Sequence, residues 1–328
     1  MPINYLFIVL AGFLLGVFFI SIFKKFALKR KVLLSRETPS VGGIGMGFSF
    51  ILVSLFSFIF YQGLSREITG IIVASSIMLI FGIIDDWREL SVSNKFLVQI
   101  ISTFLLIFFG IRTQIIYVGN SINLIITFIW ILAITNAFNH LDIMDGLAAG
   151  CAVITSLAFF TVALLNGDIS IAILCIVLVA AASSCFVYNF PPAKIYMGNA
   201  GSHFLGFTFG AIALAISYAP LERTVALLSP LLILGLPIFD TGFLILMRLK
   251  KSRSIFKKSD DHLALRFLHL GYSKKKTLSV MLILSLFFSF SGIAISQISN
   301  TLGIIVVVLV AMASLALAGK MSRVSVDG

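Results

Sequence analysis

The chain has 328 residues, 59% of them hydrophobic and only 11% charged, with a formal net charge of +11 and a mean hydropathy of +1.11. A soluble core of this size has no use for so much apolar surface, which excludes a water-soluble globular enzyme. The positive charge does not point to nucleic acid, because most of it lies in loops beside apolar runs, where it sets topology and attracts anionic headgroups.

Apolar runs of roughly 18 to 22 residues recur, each long enough to cross a hydrocarbon core of about 30 Å. Backbone groups in lipid must be satisfied within the element, and the runs are too long for barrel strands, so the chain reads as an all-α polytopic membrane protein of one domain. The pattern predicts about eleven transmembrane helices, at 3–23, 44–62, 68–86, 95–111, 121–139, 147–165, 169–189, 203–219, 224–247, 277–297 and 302–319. The first run lacks a basic leader and a small-residue cleavage site, and its lysines follow it, which predicts a retained helix with the N-terminus outside. One side then carries every one of the 24 Lys and Arg residues, Arg36, Lys257 and Lys258 included, except Arg66, Arg112 and Arg223. That side is expected to be cytoplasmic, with the C-terminus on it. Cys151, Cys175 and Cys185 fall inside predicted spans without ligand-like spacing and read as packing residues.

The inner ends of these helices collect the polar residues. The first inner loop ends in T-P-S-V-G-G at 38–43. Thr38 and Pro39 set an extended approach, and Gly42 and Gly43 let backbone come close to a ligand or to a neighbouring helix. The third span ends with Asp85, Asp86 and Glu89. Adjacent residues on a helix diverge by about 100°, so one carboxylate points to water while the other turns to the bundle; together they suit a divalent cation or a shared proton. The fifth span runs into T-N-A-F-N-H-L-D-I-M-D-G-L, where Asn136, Asn139, Asp142 and Asp145, three apart, make one polar stripe if the helix continues. His140 within it has two readings, a base or, more commonly for a single histidine beside a bilayer surface, a polar interfacial residue. After the seventh span, Pro191 and Pro192 stop the helix and Gly198 to Ser202 form a turn opening the next one, whose backbone N–H groups favour a phosphate. Tyr196 before that turn can stack on a base or anchor at the interface.

The ninth span holds Pro237, expected to kink it, and Asp240, buried about two turns from its basic end. The longest inner loop supplies His262, Arg266 and His269 among lysines, a clamp suited to a pyrophosphate. A transporter would place its charges near the bilayer midplane with access from both sides. Carboxylates, tight turns and cations gathered at one surface read instead as metal-assisted phosphoryl transfer between a soluble donor and a lipid acceptor.

These residues resemble the polyprenyl-phosphate N-acetylhexosamine-1-phosphate transferases over about 38–262. The family's T-P-x-x-G-G turn matches 38–43, and its D-D-x-x-[DNE] motif matches Asp85, Asp86 and Glu89. Its N-x-x-N-x-x-D-x-x-D-G-L motif falls on Asn136, Asn139, Asp142, Asp145, Gly146 and Leu147, its M-G-D-x-G-S turn on 197–202, and its P-x-x-D-T element on 237–241. The resemblance implies that Mg²⁺, or alternatively Mn²⁺, bridges the diphosphate of a UDP-sugar while the polyprenyl phosphate attacks its β-phosphorus, leaving UMP. It implies catalytic roles for Asp85, Asp86, Asp142 and Asp145 and metal binding at Asn139 and Asn199. Substrate contacts are implied at Thr38, Gly42, Gly43, Asn136, Tyr196, Gly198, Ser202, Asp240, His262 and Arg266. Two positions depart from the pattern. Asn199 stands where the family has aspartate, which leaves a weakened or inactive binding variant open beside an enzyme in which another acid such as Asp240 takes over. The family's H-x-H-H reads His262, Leu263, Ala264, Leu265, so only its first histidine is present, and Arg266 or His269 can replace the lost contacts. The hexosamine, the prenyl length and the formation of a homodimer are open at this stage.

Overall fold

The computed structural model describes residues 4–35, 37–116, 118–218, 222–254, 260–324 and 326. Arg36, Lys257 and Lys258 and the expected span limits at 3 and 219 lie outside the described residues. Among the described residues the structure is all-helical apart from one two-stranded antiparallel hairpin, β1 (Leu34–Ser35) with β2 (Thr38–Pro39). In chain order the helices are α1 (Tyr5–Arg30), α2 (Gly42–Tyr61), α3 (Arg66–Trp87), α4 (Val92–Phe108), α5 (Asn120–Leu141), α6 (Leu147–Leu165) and α7 (Ile169–Asn189). They continue with α8 (Gly198–Ala215), a 3₁₀ turn (Thr224–Leu228), α9 (Ser229–Ile233), α10 (Gly235–Lys250), α11 (Leu263–His269), α12 (Lys274–Gln297) and α13 (Asn300–Met321).

Side-chain caps set several of the starts. Ser65, Ser91, Asp168 and Ser273 each accept a backbone N–H from the first turn of α3, α4, α7 and α12, satisfying groups that a helix leaves open. The outermost helix, α13, has a mean hydropathy of 2.7 with only 11% of its apolar window buried. So greasy and uncovered a surface is stable only against lipid.

α8 is the axis of the bundle. Every residue from 200 to 213 is buried, and α8 packs against α2, α3 and α5. Small residues make this possible, since in lipid helices associate through close contact and not through exclusion of water. A Cβ on Gly206 would lie 2.7 Å from the Thr135 Cα of α5, and one on Gly82 of α3 would collide with Ala200. The inner ends of α3 and α5 therefore meet the first turn of α8.

Among the described residues eight helices are long and apolar enough to span a membrane, or nine if the bent pair 224–233 and 235–250 is one span, beside the expected eleven. The expected segments 95–111 and 203–219 overlap α4, of 17 residues, and α8, of 18 residues; neither joins that set, α4 for its length and α8 because its first turns carry Asn199, Ser202 and His203. The ninth expected span, 224–247, is broken by 72°. Pro237 is the cause, because it has no N–H for the Ile233 carbonyl and its ring crowds that carbonyl, so the helix parts at Leu234. The freed Ile233 carbonyl accepts the Ser289 hydroxyl at 3.5 Å.

Candidate active site

Asp85 and Asp86 diverge at the end of α3 as adjacent helical residues must. Asp85 turns into the protein: its Oδ2 is 2.6 Å from Lys95 Nζ and its Oδ1 accepts the Leu90 N–H at 2.8 Å. Both oxygens are thus engaged in tying the α3–α4 turn, and the side chain is buried. Asp86 turns to α8, where Oδ1 accepts the Asn199 N–H at 2.7 Å and Oδ2 the Ala200 N–H at 2.9 Å. The helix start that the sequence offers to a phosphate thus holds a carboxylate of the chain itself, with the same electrostatic complementarity. Glu89 is exposed beyond the helix end.

Gly198 makes this grip possible. Its φ of +74° is left-handed, and a Cβ there would sit 2.5 Å from Asp86 Oδ2. Gly198→Ala is expected to lower stability by about 1–3 kcal/mol through backbone strain and to push Asp86 off its two N–H donors. A melting temperature and activity equal to the parent's would overturn this account.

The stripe predicted on α5 divides. The helix ends at Leu141, and Asp142 is already non-helical at φ −80°, ψ 53°, so Asn136 and Asn139 lie on the helix while both aspartates lie in the turn to α6. Asn136 faces α4, its Nδ2 donating to Gln99 Oε1 at 3.0 Å. Asn139 faces α8, donating to Asn199 Oδ1 at 3.0 Å and Ser202 Oγ at 2.9 Å. Asp145 accepts from the Ala193 N–H at 3.4 Å and lies 3.4 Å from Lys274 Nζ. No described residue donates a hydrogen bond to Asp142. Its carboxyl is pushed up to about 7, first by burial and then by the charges of Asp86 and Asp145.

The turn at 38–43 docks beside this centre. The Pro39 carbonyl accepts the Tyr196 N–H at 2.8 Å, and the Gly42 and Gly43 N–H groups donate to the Tyr196 and Met197 carbonyls at 3.0 and 2.9 Å. A Cβ on Gly43 would collide with Gly201, so of the two readings offered for these glycines the structure displays the close approach to a neighbouring helix. Thr38 and Tyr196 are half-buried.

On α10, buried Asp240 accepts the Leu263 N–H at 2.8 Å and holds His262 Nδ1 at 2.8 Å. Arg266 departs most from its expected clamp role. It is 1% exposed, pairs with Asp261 at 2.9 Å, donates to the Met321 carbonyl at 3.0 Å and to that of Val324, and lies 5.1 Å over the Phe243 ring. Its fork fastens the C-terminus of α13 to α11. His269, at the end of α11, is exposed.

Several structural partners were missed in the sequence. Lys95, Gln99, Ser102 and Thr103 share a face of α4, a helical polar stripe in an apolar run that would have marked it as buried against α3 and α5. Asn189, which accepts the Gly146 N–H at 2.9 Å and donates to the Ile195 carbonyl at 2.9 Å, carried no signal beyond its polarity at a helix end.

Among the described residues no group of three or more His, Cys, Asp or Glu side chains is spaced to hold a metal alone. Mg²⁺ does not need one, since it binds through one or two carboxylates, substrate phosphates and water. Asp142, without a donor and repelled by two like charges, is the carboxylate such a cation would relieve, and the amide oxygens of Asn139 and Asn199 are compatible neighbours. The residues fit the ion.

An all-helical, multi-pass protein with this carboxylate and amide centre is, by comparison with known proteins, a membrane glycosyl-1-phosphate transferase acting on polyprenyl phosphate. The chain belongs to glycosyl transferase family 4, whose model matches residues 68–217, the stretch from α3 to the end of α8. It is 31% identical over 280 residues to the probable undecaprenyl-phosphate N-acetylglucosaminyl 1-phosphate transferase of Bacillus subtilis, covering 82% of this chain and 76% of that protein. It is 30% identical to the decaprenyl-phosphate N-acetylglucosaminephosphotransferase of Mycolicibacterium smegmatis, over 74% of this chain and 68% of the relative. With the phospho-N-acetylmuramoyl-pentapeptide-transferase of Prochlorococcus marinus it shares 34% over 54% of each chain.

Proposed function

We propose that the protein transfers N-acetylhexosamine-1-phosphate from a UDP-sugar to undecaprenyl or a similar polyprenyl phosphate at the cytoplasmic face of the membrane, releasing UMP. The observation that carries this reading is Asp142, an unpartnered carboxylate pushed up to about 7 between Asp86 and Asp145, at the helix ends where Asn139, Asn199 and Ser202 meet. The relatives from Bacillus subtilis and Mycolicibacterium smegmatis are by name an N-acetylglucosaminyl 1-phosphate transferase and an N-acetylglucosaminephosphotransferase. The orientation rests on the basic loops: Lys274, which opens α12, lies 3.4 Å from Asp145, and Lys95 lies 2.6 Å from Asp85, so basic residues stand at the site end of the bundle.

In this reading a lipid phosphate oxygen attacks the β-phosphorus of the donor, and the bond from that phosphorus to the bridging oxygen breaks. UMP departs with the bridging oxygen and its electron pair. Mg²⁺, held by Asp142 with the side-chain oxygens of Asn139 and Asn199, would supply neutralisation of the diphosphate charge. Asp86, fixed by two backbone donors, keeps the α8 turn and Asn199 in place. A phosphomonoester loses its last proton near about pH 6, so positioning counts for more than base strength. Tyr196 is assigned to the uracil, and Thr38 and Asn136 to the surrounding frame.

Asn199 supports a second reading, a weakened or non-catalytic binding variant, because the amide removes a negative charge that Mg²⁺ favours. One assay separates them: UMP release from UDP-N-acetylglucosamine by the purified protein with polyprenyl phosphate and Mg²⁺, beside Asn199→Asp. Release by both proteins, faster in the aspartate form, is the expected result. Release by Asn199→Asp alone supports the second reading, and release by neither, with no nucleotide binding, overturns both.

A further inference from the structure

The N-cap residue of α11 is His262, whose side chain is buried against α10 and α5. Leu263 and Ala264 after it are fully buried and have no side-chain donor to offer a ligand. Asp240 takes His262 Nδ1 at 2.8 Å, which fixes the ring and leaves Nε2 as the nitrogen without a protein partner. Against that ring stands a second one from another element: His140 of α5, its centroid 6.3 Å away and its plane at 69°. Its Nδ1 is buried with no hydrogen-bond partner, a costly arrangement in the bundle without a compensating contact. His140 is two residues from Asp142 and next to Asn139, so the same helix end that brings the acidic centre brings this ring. α10 packs against α5 and brings Asp240 and the buried Arg248 to the same place.

We propose that His140 and His262 form a two-histidine grip on the phosphate of the leaving nucleotide, His140 standing in from α5 for a donor that the α11 loop does not offer. The inference rests on the transferase reading and adds to it a residue of this chain's own. In the transfer step the bridging oxygen gains charge as its bond to the β-phosphorus breaks, and an imidazole N–H pointed at that phosphate stabilises the charge by hydrogen bonding without giving up its proton. A ring serving only as packing would be indifferent to the nucleotide.

The test pairs His140→Leu with His140→Gln, the second keeping a donor of similar reach. Two readouts are taken: KM and kcat for UDP-N-acetylglucosamine in the UMP-release assay, and the thermal shift given by UMP alone. His140→Leu should melt near the parent temperature, raise KM and weaken UMP binding by about tenfold, the scale of one hydrogen bond to a charged group; His140→Gln should recover most of that loss. UMP binding and KM unchanged in a folded His140→Leu protein overturn the grip and leave the transferase reading standing. Absence of UMP binding in the parent overturns the grip alone if UMP release persists, and both readings if it does not.

Discussion

Asp142→Asn is expected to reduce sugar-phosphate transfer by about 10²–10³-fold in a protein at least as stable as the parent. The two halves of this expectation have one cause. Asp142 loses no hydrogen bond on replacement, because none is donated to it, and the amide has nearly the same shape. What disappears is a negative charge that Asp86 and Asp145 repel and that burial disfavours. The sign follows from linkage: the carboxyl stands at about 7 in the folded protein against 3.8 for the free group. Between those values the folded state holds a proton that the unfolded state has released. Stability due to this group is therefore full below about pH 4 and lost as the pH rises through 7. Asp142→Asn should remove that pH dependence. Melting curves of the metal-free protein in detergent at pH 5 and 8 read it directly. A variant that transfers normally, or that melts well below the parent at pH 8, would sink the assignment.

The ends of the helices were legible because membrane helices announce themselves by length and the polar residues between them by contrast. The divergence of Asp85 and Asp86 by about 100° at the end of α3 follows from helical geometry alone, whereas a shared role for Asn139 and Asn199 was implied only by the family resemblance. What each side chain touches does not follow from that geometry. Lys95 lies ten residues beyond Asp85 across a turn, and only the packing of α4 on α3 makes the two a buried pair. The helix start at Gly198 reads in the sequence as a place for a phosphate, yet in the structure its N–H groups hold Asp86, 113 residues before Asn199 in sequence. Pro237 marked a distortion, but a proline disrupts the carbonyl four residues earlier, so the break falls at Leu234 and turns a kinked span into a bent pair. The expected spans outnumber the helices of spanning length and hydropathy for a related reason: hydropathy registers apolar residues, whereas α4 is short and α8 has a polar first turn.

Arg266 is where sequence and structure lead to opposite experiments. A cation in a basic inner loop reads as a ligand for the diphosphate, and its removal would then raise KM and leave the fold intact. In the structure its guanidinium is buried, paired with Asp261, and bound to the carbonyls that end α13. Arg266→Ala should accordingly cost about 3–5 kcal/mol, the penalty of leaving a buried carboxylate short of a partner, and appear as a lowered melting temperature with proteolysis beginning near the C-terminus. Lys251, 2.7 Å from the same Asp261 oxygen, compensates only in part because it offers one point of charge in place of a fork that also holds Met321 and Val324. A double replacement by leucine at 261 and 266 discriminates further: removing both charges together should destabilise less than Arg266→Ala alone, since the buried carboxylate goes with its guanidinium, and Lys251, a quarter exposed, is reached by water. If Arg266→Ala melts with the parent while the KM for the UDP-sugar rises, the residue faces the donor in solution and the anchor is wrong.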